Sequence, residues 1–219
     1  KLDSNSFEEE KLKKLLDKVL LDYNNKAEKL TESRKKVSQN IEVMLQAELS
    51  DLNMASAKFK VSFLKEEKVS KNGKDSIEFL IATNVGQDYK TLTKIASGGE
   101  VSRIMLALKT IFSKVDNIPI LIFDEIDIGV GGETVRKIAG KLKEIGKHAQ
   151  VICITHSPQI AAKATQQFYI EKNVVANTTV TTVRELNQEE RVREIGRMLA
   201  GENITDTVLS HALELLKED

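Results

Sequence analysis

Two adjacent carboxylates follow a continuous apolar run in the stretch "ILIFDEID". Asp124 and Glu125 come directly after this run, which is typical of a buried strand in a parallel sheet. Ligands of open parallel sheets bind beyond the carboxyl ends of the strands. Asp124 is therefore a candidate ligand of Mg²⁺, and Glu125 is a candidate to orient or deprotonate a water that attacks a γ-phosphate. The alternative is an acidic pair that only caps the following loop.

A histidine ends a second apolar run, "VICITH". We expect His156 to lie where Asp124 lies on its own strand, and a histidine at that place can donate a hydrogen bond to a phosphate oxygen. The alternative is a loop histidine with structural partners only. His148 and His211 stand in helical, polar contexts, so we assign both to surface structure.

A serine, two glycines and a glutamate, Ser97 to Glu100, precede an apolar helical pattern. Adjacent glycines allow backbone N–H groups to converge on an anion, and the positive end of the following helix points at the same place. The Ser97 hydroxyl adds a donor, although a simple tight turn would show the same pattern. Arg103 is expected to face either a nucleotide or a partner, or else solvent as an ordinary helix charge.

The order of these motifs along the chain resembles that of ABC-type ATPase heads. "SGGE" matches the signature motif, "ILIFDE" the Walker B strand and His156 the switch histidine. The stretches "KIASGGEVSRIMLALK", "IFDEIDIGVGG" and "ITHSPQIAAKA" are similar to the RecN-like branch of the SMC-like ATPases of bacterial DNA repair. The resemblance covers essentially the whole chain. The close alternative is the head lobe of another SMC-like or SbcC-like ATPase, and the glycine-rich loop favours the RecN-like branch.

The resemblance implies an ATPase in which two heads of a homodimer enclose ATP and Mg²⁺. It assigns catalytic roles to Glu125 and His156 and the Mg²⁺ to Asp124. The ATP of the partner head would be contacted by the signature turn, that is, by Ser97, Gly98, Gly99 and Glu100. It further implies that ATP-dependent head engagement drives DNA binding or tethering in double-strand break repair, in the bacterial cytoplasm at the nucleoid. A different class of protein remains open, namely a non-catalytic coiled-coil interaction module in which the acidic residues have lost their function.

The sequence departs from the complete motif set of such heads. No stretch matches the phosphate-binding pattern G-x-x-x-x-G-K-[ST], and "NGKDS" and "IGKHA" come nearest. In the family that the chain resembles, this Walker A motif precedes the coiled coil, so we expect a C-terminal portion that is inactive alone and leaves Ser97 to Glu100 facing solvent. The opening "KLDSNSFEEE" reads like the middle of a helix, which also suggests a fragment. Gly131 stands near the usual aspartate of the loop after Walker B, so we assign no carboxylate role beyond Asp127.

A long helix and a hairpin are predicted ahead of these motifs. Residues 1–56 contain no Gly or Pro, and their apolar side chains recur mostly every three or four positions, which indicates a returning coiled-coil helix. The alternative is one helix of an ordinary bundle. The runs "KFKVSFL" and "SIEFLIATN" predict a β-hairpin, with Asn72-Gly73 at its tip.

The remaining elements predict an α/β fold. Strands alternate with helices after the hairpin, so we expect mainly parallel strands in residues 57–219, as in the C-terminal lobe of an ABC- or SMC-like head. Lys+Arg and Asp+Glu number 33 each, so the net charge gives no sign of a nucleic-acid or membrane partner. The single Cys153 excludes an internal disulfide and fits a reducing cytosol, and neither a secretory signal nor a membrane-spanning run is present.

Overall fold

The computed structural model describes residues 2–66, 68–113, 115–175 and 178–218, with side chains throughout except in residues 2–6 and 175. The chain forms two compact units. The first unit comprises Lys1–Gln46 and Ala57–Lys94, and the second comprises Ala47–Ser56 and Ile95–Asp219.

Helix α1, Leu2–Asp51, supplies most of the first unit and continues into the second. No Gly or Pro interrupts it, so the backbone hydrogen bonds run through 50 residues. Leu45 and Leu49 are fully buried near its end, whereas Leu12 is 65% and Leu16 57% exposed near its beginning. The predicted long helix is confirmed, and the coiled coil stays a prediction because its seam faces solvent here.

The predicted hairpin is also confirmed. Strand β1, Lys58–Lys65, pairs antiparallel with β2, Asp75–Ala82, and the short β3, Lys90–Thr91, extends the sheet on the far side of β2. A short 3₁₀ helix, Leu92–Lys94, follows. Gly73 has a φ of +88°, and its N–H donates to the Ser70 carbonyl at 3.2 Å, so it closes a turn in the loop between β1 and β2.

Polar contacts join this hairpin to α1. The half-exposed Arg34 and the Thr31 hydroxyl both donate to the buried carboxylate of Asp75, over 3.3 Å from Arg34 and 2.7 Å from Thr31 to Oδ2. Glu42 accepts the backbone N–H of Val61 at 2.8 Å. The hairpin therefore groups with the helix in the first compact unit.

The second unit alternates helices and strands. Its elements are α2 Gly98–Phe112, β4 Ile120–Phe123, α3 Gly132–Ile145, β5 Gln150–Cys153, α4 Pro158–Ala162, β6 Phe168–Val175, β7 Thr178–Glu185, α5 Gln188–Ala200 and α6 Asp206–Lys217. Buried side chains of α4, α5 and α6 form one core cluster, which comprises Ala161, Ala162, Ile195, Ala212 and Leu215. Lys141 of α3 donates to Glu48 at 2.6 Å and to Asp51 at 3.2 Å, which holds the last turns of α1 in this unit.

The expectation of mainly parallel strands is wrong for the described part of the chain. Only β4 and β5 pair in parallel, with Phe123 opposite Cys153, whereas β6 pairs antiparallel with β7. Residues 176 and 177 alone separate β6 from β7 in the sequence, and a connection that short can only reverse the chain. The helix α3 between β4 and β5 provides the crossover that a parallel pair needs.

The parallel pair is covered on one face. Phe123 is buried, but Ile122 is 67% exposed, and Ile120, Ile152 and Ile154 are exposed with it. The apolar runs thus predicted the strands correctly, while the described residues cover only one of the two faces that such runs normally bury. No helix among the described residues is both long and apolar enough to cross a membrane.

Candidate active site

The loop that follows β4 turns sharply at Glu125. Its φ of +57° lies in the left-handed region, which a glutamate rarely adopts. The Ile128 N–H donates to the Glu125 carbonyl at 3.2 Å and closes the turn. The side chains of Asp124 and Glu125 are both exposed, so the two carboxylates project from the carboxyl end of a parallel strand, as predicted. Backbone strain of this kind concentrates at functional sites.

The signature turn caps α2. Ser97 is the N-cap in an extended conformation, and its side chain accepts the Glu100 N–H at 3.4 Å. Ser97 and Gly98 are exposed and Glu100 is half-buried, but Gly99 is buried. The predicted solvent-facing turn is therefore correct at its first two residues and wrong at Gly99, because the loop after β4 packs against that residue.

The two glycines make room for the Glu125 loop. A Cβ on Gly98 would lie 2.5 Å from Oε2 of Glu125, and a Cβ on Gly99 would lie 3.0 Å from the Glu125 carbonyl oxygen and 3.3 Å from Nη1 of Arg103. All three distances are shorter than ordinary contacts between a Cβ and a neighbour. The sequence indicated that something comes close to this backbone, and within this chain the neighbour is the Walker B-like loop.

Residues of α2 hold the loop after β4 in place. The Ser102 hydroxyl donates to the Asp124 carbonyl at 2.6 Å. Nη1 of Arg103 donates to the carbonyls of Ile126 at 3.4 Å and Ile128 at 2.9 Å. These bonds connect the signature helix to the backbone that carries both candidate carboxylates.

Arg103 itself is buried, with 8% of the residue exposed. Burial lowers the pKa of its guanidinium, and the Glu100 carboxylate opposes that shift. Its Nε is buried without a hydrogen-bond partner among the described residues. The interpretation of Arg103 as a solvated helix charge is wrong, because the residue is buried and Nη1 is directed to loop carbonyls, whereas a contact with a nucleotide or partner stays a prediction.

Asp127 connects the loop after β4 to the segment after β5. The Asp127 carboxylate is buried, with 1% of its side chain exposed, and its Oδ2 accepts the backbone N–H groups of His156 and Ser157, each at 3.1 Å. The Thr155 hydroxyl donates to the same oxygen. Sequence reasoning assigned Asp127 no function, although a carboxylate between two isoleucines in "IDI" is a signal for a buried polar group with dedicated partners.

His156 lies two residues farther beyond β5 than the sequence suggested. The Ile154 N–H donates to the Phe123 carbonyl at 2.9 Å, which places Asp124 level with Ile154 rather than with His156. The histidine side chain is 76% exposed, and its Nδ1 lies 3.4 Å from Oδ2 of Asp127. His156 is thus tied to the Walker B-like loop through Asp127. His148 and His211 are exposed, as predicted.

The donor chemistry at the end of β4 fits a magnesium ion. Mg²⁺ in phosphate-transfer sites is bound through one or two carboxylates, with water and substrate oxygens as the other ligands, and the exposed Asp124 is a carboxylate of that kind. The described residues contain no cluster of three or more His, Cys, Asp or Glu side chains arranged as a metal cage. Burial raises the pKa of the Cys153 thiol to about 12, with the Asp127 and Asp124 carboxylates adding to the shift, which disfavours the nucleophilic thiolate.

Comparison with known proteins gives a family match over most of the chain. Residues 1–181 match the family model described as RecF/RecN/SMC N terminal domain. The DNA repair protein RecN of Halalkalibacterium halodurans is 41% identical over 222 residues, which is 98% of this chain and 39% of that protein. The DNA repair protein RecN of Bacillus subtilis is 40% identical over 223 residues, 94% of this chain and 38% of that protein. The chain therefore spans about two fifths of the length of these curated relatives.

Among solved structures, a crystal structure of the Smc head domain with a coiled coil and joint from Pyrococcus yayanosii is similar to this chain. It aligns with 75% of this chain and 29% of its own length, at 21% identity and a TM-score of 0.49. A score at that level carries no argument by itself, so the family assignment rests on the sequence matches.

Proposed function

The chain belongs to the RecF/RecN/SMC N terminal domain family, and on this premise we propose that it is part of a RecN-like ATPase of DNA double-strand break repair and recombination. Both RecN relatives are DNA repair proteins, which supports the proposal. In it, residues 1–56 are a returning coiled-coil helix and residues 57–219 are the C-terminal lobe of an ABC-type head. The intact protein is a homodimer of the bacterial nucleoid, and ATP-dependent engagement of its two heads drives DNA binding or tethering.

The observation that carries the proposal is the convergence of three separate motifs on one loop. The loop at residues 124–128 places Oε2 of Glu125 beside Gly98 of the signature turn. Through Asp127 the same loop holds the segment that carries His156. An ordinary acidic cap of the following loop would require neither contact.

The residues of this loop have distinct roles in the proposed hydrolysis. Asp124 would hold Mg²⁺, which supplies charge neutralisation on the phosphates when it is bound. Glu125 orients the attacking water and accepts its proton, and His156 donates a hydrogen bond to an oxygen of the γ-phosphate.

The signature turn serves the nucleotide of the second head. The start of α2 carries partial positive charge and free N–H groups, which favour a phosphate. Ser97 and Gly98 are exposed and can be reached by another molecule, and Gly99 and Glu100 complete the turn. The Glu125 carboxylate already lies beside the first residue of α2, which supports the view that this place accepts negative charge.

The proposal is tested by ATP hydrolysis of the full-length protein with Glu125→Gln. Loss of a general base lowers turnover by about 10²–10⁴-fold, while ATP binding is retained. Glu214→Gln is the matched control, because Glu214 is an exposed carboxylate on α6. Turnover of the Glu125→Gln protein equal to that of the control would refute the catalytic assignment and favour a non-catalytic interaction module.

A further inference from the structure

Asp127 is a buried carboxylate that the proposed hydrolysis does not use. Burial of an ionised carboxylate is expensive unless donors surround it, and here three donors reach one oxygen. They are the Thr155 hydroxyl and the N–H groups of His156 and Ser157. All three belong to the segment after β5, so the carboxylate holds that segment against the loop after β4.

The same oxygen faces the imidazole of His156. Nδ1 lies 3.4 Å from Oδ2 of Asp127, which is close enough for electrostatic attraction, although the contact does not have the geometry of a hydrogen bond. The rest of the side chain is exposed, so the carboxylate is the one polar constraint on its orientation among the described residues. A negative acceptor beside Nδ1 favours the tautomer that is protonated there, and this leaves Nε2 on the far side of the ring, directed away from Asp127.

We propose that Asp127 is a positioning residue that fixes the segment after β5 and sets the tautomer and direction of the His156 imidazole. It would act on the reaction only through His156, because its own carboxylate is buried. The effect of this contact on a bound γ-phosphate rests on the proposed function. The position of the ring beside Asp127 does not depend on that function.

The second carboxylate oxygen of Asp127 allows a variant that removes the charge but keeps the hydrogen bonds to Oδ2. Oδ1 of Asp127 is buried and has no hydrogen-bond partner among the described residues. In Asp127→Asn the amide oxygen can take the place of Oδ2 and keep its three donors, with the NH₂ group in the place of Oδ1. The substitution then removes the charge and preserves the backbone contacts, which separates orientation of the ring from stability of the loop.

The test is nuclear magnetic resonance of the 219-residue chain with ¹⁵N-labelled histidine, at alkaline pH where free imidazoles are neutral. His148→Gln and His211→Gln assign the three imidazoles. We expect the wild-type His156 ring to be protonated mainly on Nδ1. In Asp127→Asn this form should become the minor one, because a neutral amide attracts the Nδ1–H group less strongly than a carboxylate does. The backbone N–H resonances of His156 and Ser157 should persist.

Thr155→Val is the matched control. It removes a donor to Oδ2 but keeps the charge beside Nδ1, so His156 should retain its tautomer. Equal changes in Thr155→Val and Asp127→Asn, or no change in Asp127→Asn, would overturn the proposal. A wild-type ring protonated mainly on Nε2 would overturn it as well, and this observation decides the matter even if Asp127→Asn does not fold. Because no nucleotide is needed, a negative result here is distinct from failure of the ATPase assignment.

Discussion

Substituting alanine at each of the two signature glycines adds one methyl group in two different surroundings. At Gly98 the new Cβ would meet only the end of the Glu125 side chain, at 2.5 Å from Oε2. At Gly99 it would meet the Glu125 carbonyl oxygen at 3.0 Å and the Arg103 guanidinium at 3.3 Å. Neither glycine has a positive φ, so backbone strain does not contribute at either place.

The two substitutions should therefore differ in stability. A flexible, exposed carboxylate can rotate away, so Gly98→Ala should change the free energy of unfolding by no more than about 0.5 kcal/mol. At Gly99 a backbone carbonyl and a buried guanidinium would have to move, and overpacking of this kind costs about 1–3 kcal/mol. The better helix propensity of alanine returns up to about 1 kcal/mol, which leaves a net loss of about 0–2 kcal/mol when that full amount is returned.

Amide hydrogen exchange in α2 measures this difference locally, which is necessary because a chain of two compact units need not unfold in one step. Exchange at Ile104 and Leu106, both buried, should accelerate in Gly99→Ala and stay near the wild-type rate in Gly98→Ala. Equal acceleration in both variants, or none in Gly99→Ala, would refute the packing argument. Under the proposed function, Gly98→Ala should still lower ATP turnover of the full-length protein, since the Glu125 carboxylate must leave its place.

Two further predictions concern Arg103 and Cys153. Arg103→Met removes both donors to the carbonyls of Ile126 and Ile128 and should destabilise the second unit by about 2–3 kcal/mol, measured by the same exchange experiment; wild-type protection would contradict it. The Cys153 thiol, with its pKa raised to about 12, should be ~10⁻⁴ ionised at pH 8 and react with iodoacetamide far more slowly when folded than in urea. The rate should rise with pH up to that pKa, and equal rates in the folded and unfolded chain would contradict the prediction.

The elements that depend on local periodicity were predictable from the sequence. The 50-residue helix follows from the absence of Gly and Pro, and the hairpin follows from two β-rich runs on either side of a polar loop. The parallel β4–β5 pair follows from apolar runs that flank a helix of crossover length. The helix and the hairpin depend on neighbouring residues, and the parallel pair was predictable because a helix of crossover length lies between its two apolar runs.

The parts of the site that depend on packing between distant segments were not predictable. Arg103 looks like any helix charge in the sequence, and only the position of the loop after β4 makes it a buried donor. Asp127 acquires its partners from the segment after β5, 28 to 30 residues later in the chain. The expectation of parallel strands was wrong for β6 and β7. It was based on strands that alternate with helices, but no helix lies between these two strands.

At position 125 the left-handed backbone favours residues other than glutamate, whereas the proposed chemistry requires a carboxylate. Glycine and asparagine adopt a φ of +57° more readily than glutamate, which is held there at a cost on the order of 1 kcal/mol. A library randomised at this codon and screened for heat resistance alone should drift toward those two residues, whereas under the proposed function a screen for survival of DNA damage should keep the acid. The difference in thermal stability between the variants from the two screens would measure the stability that is lost by keeping a carboxylate at this turn.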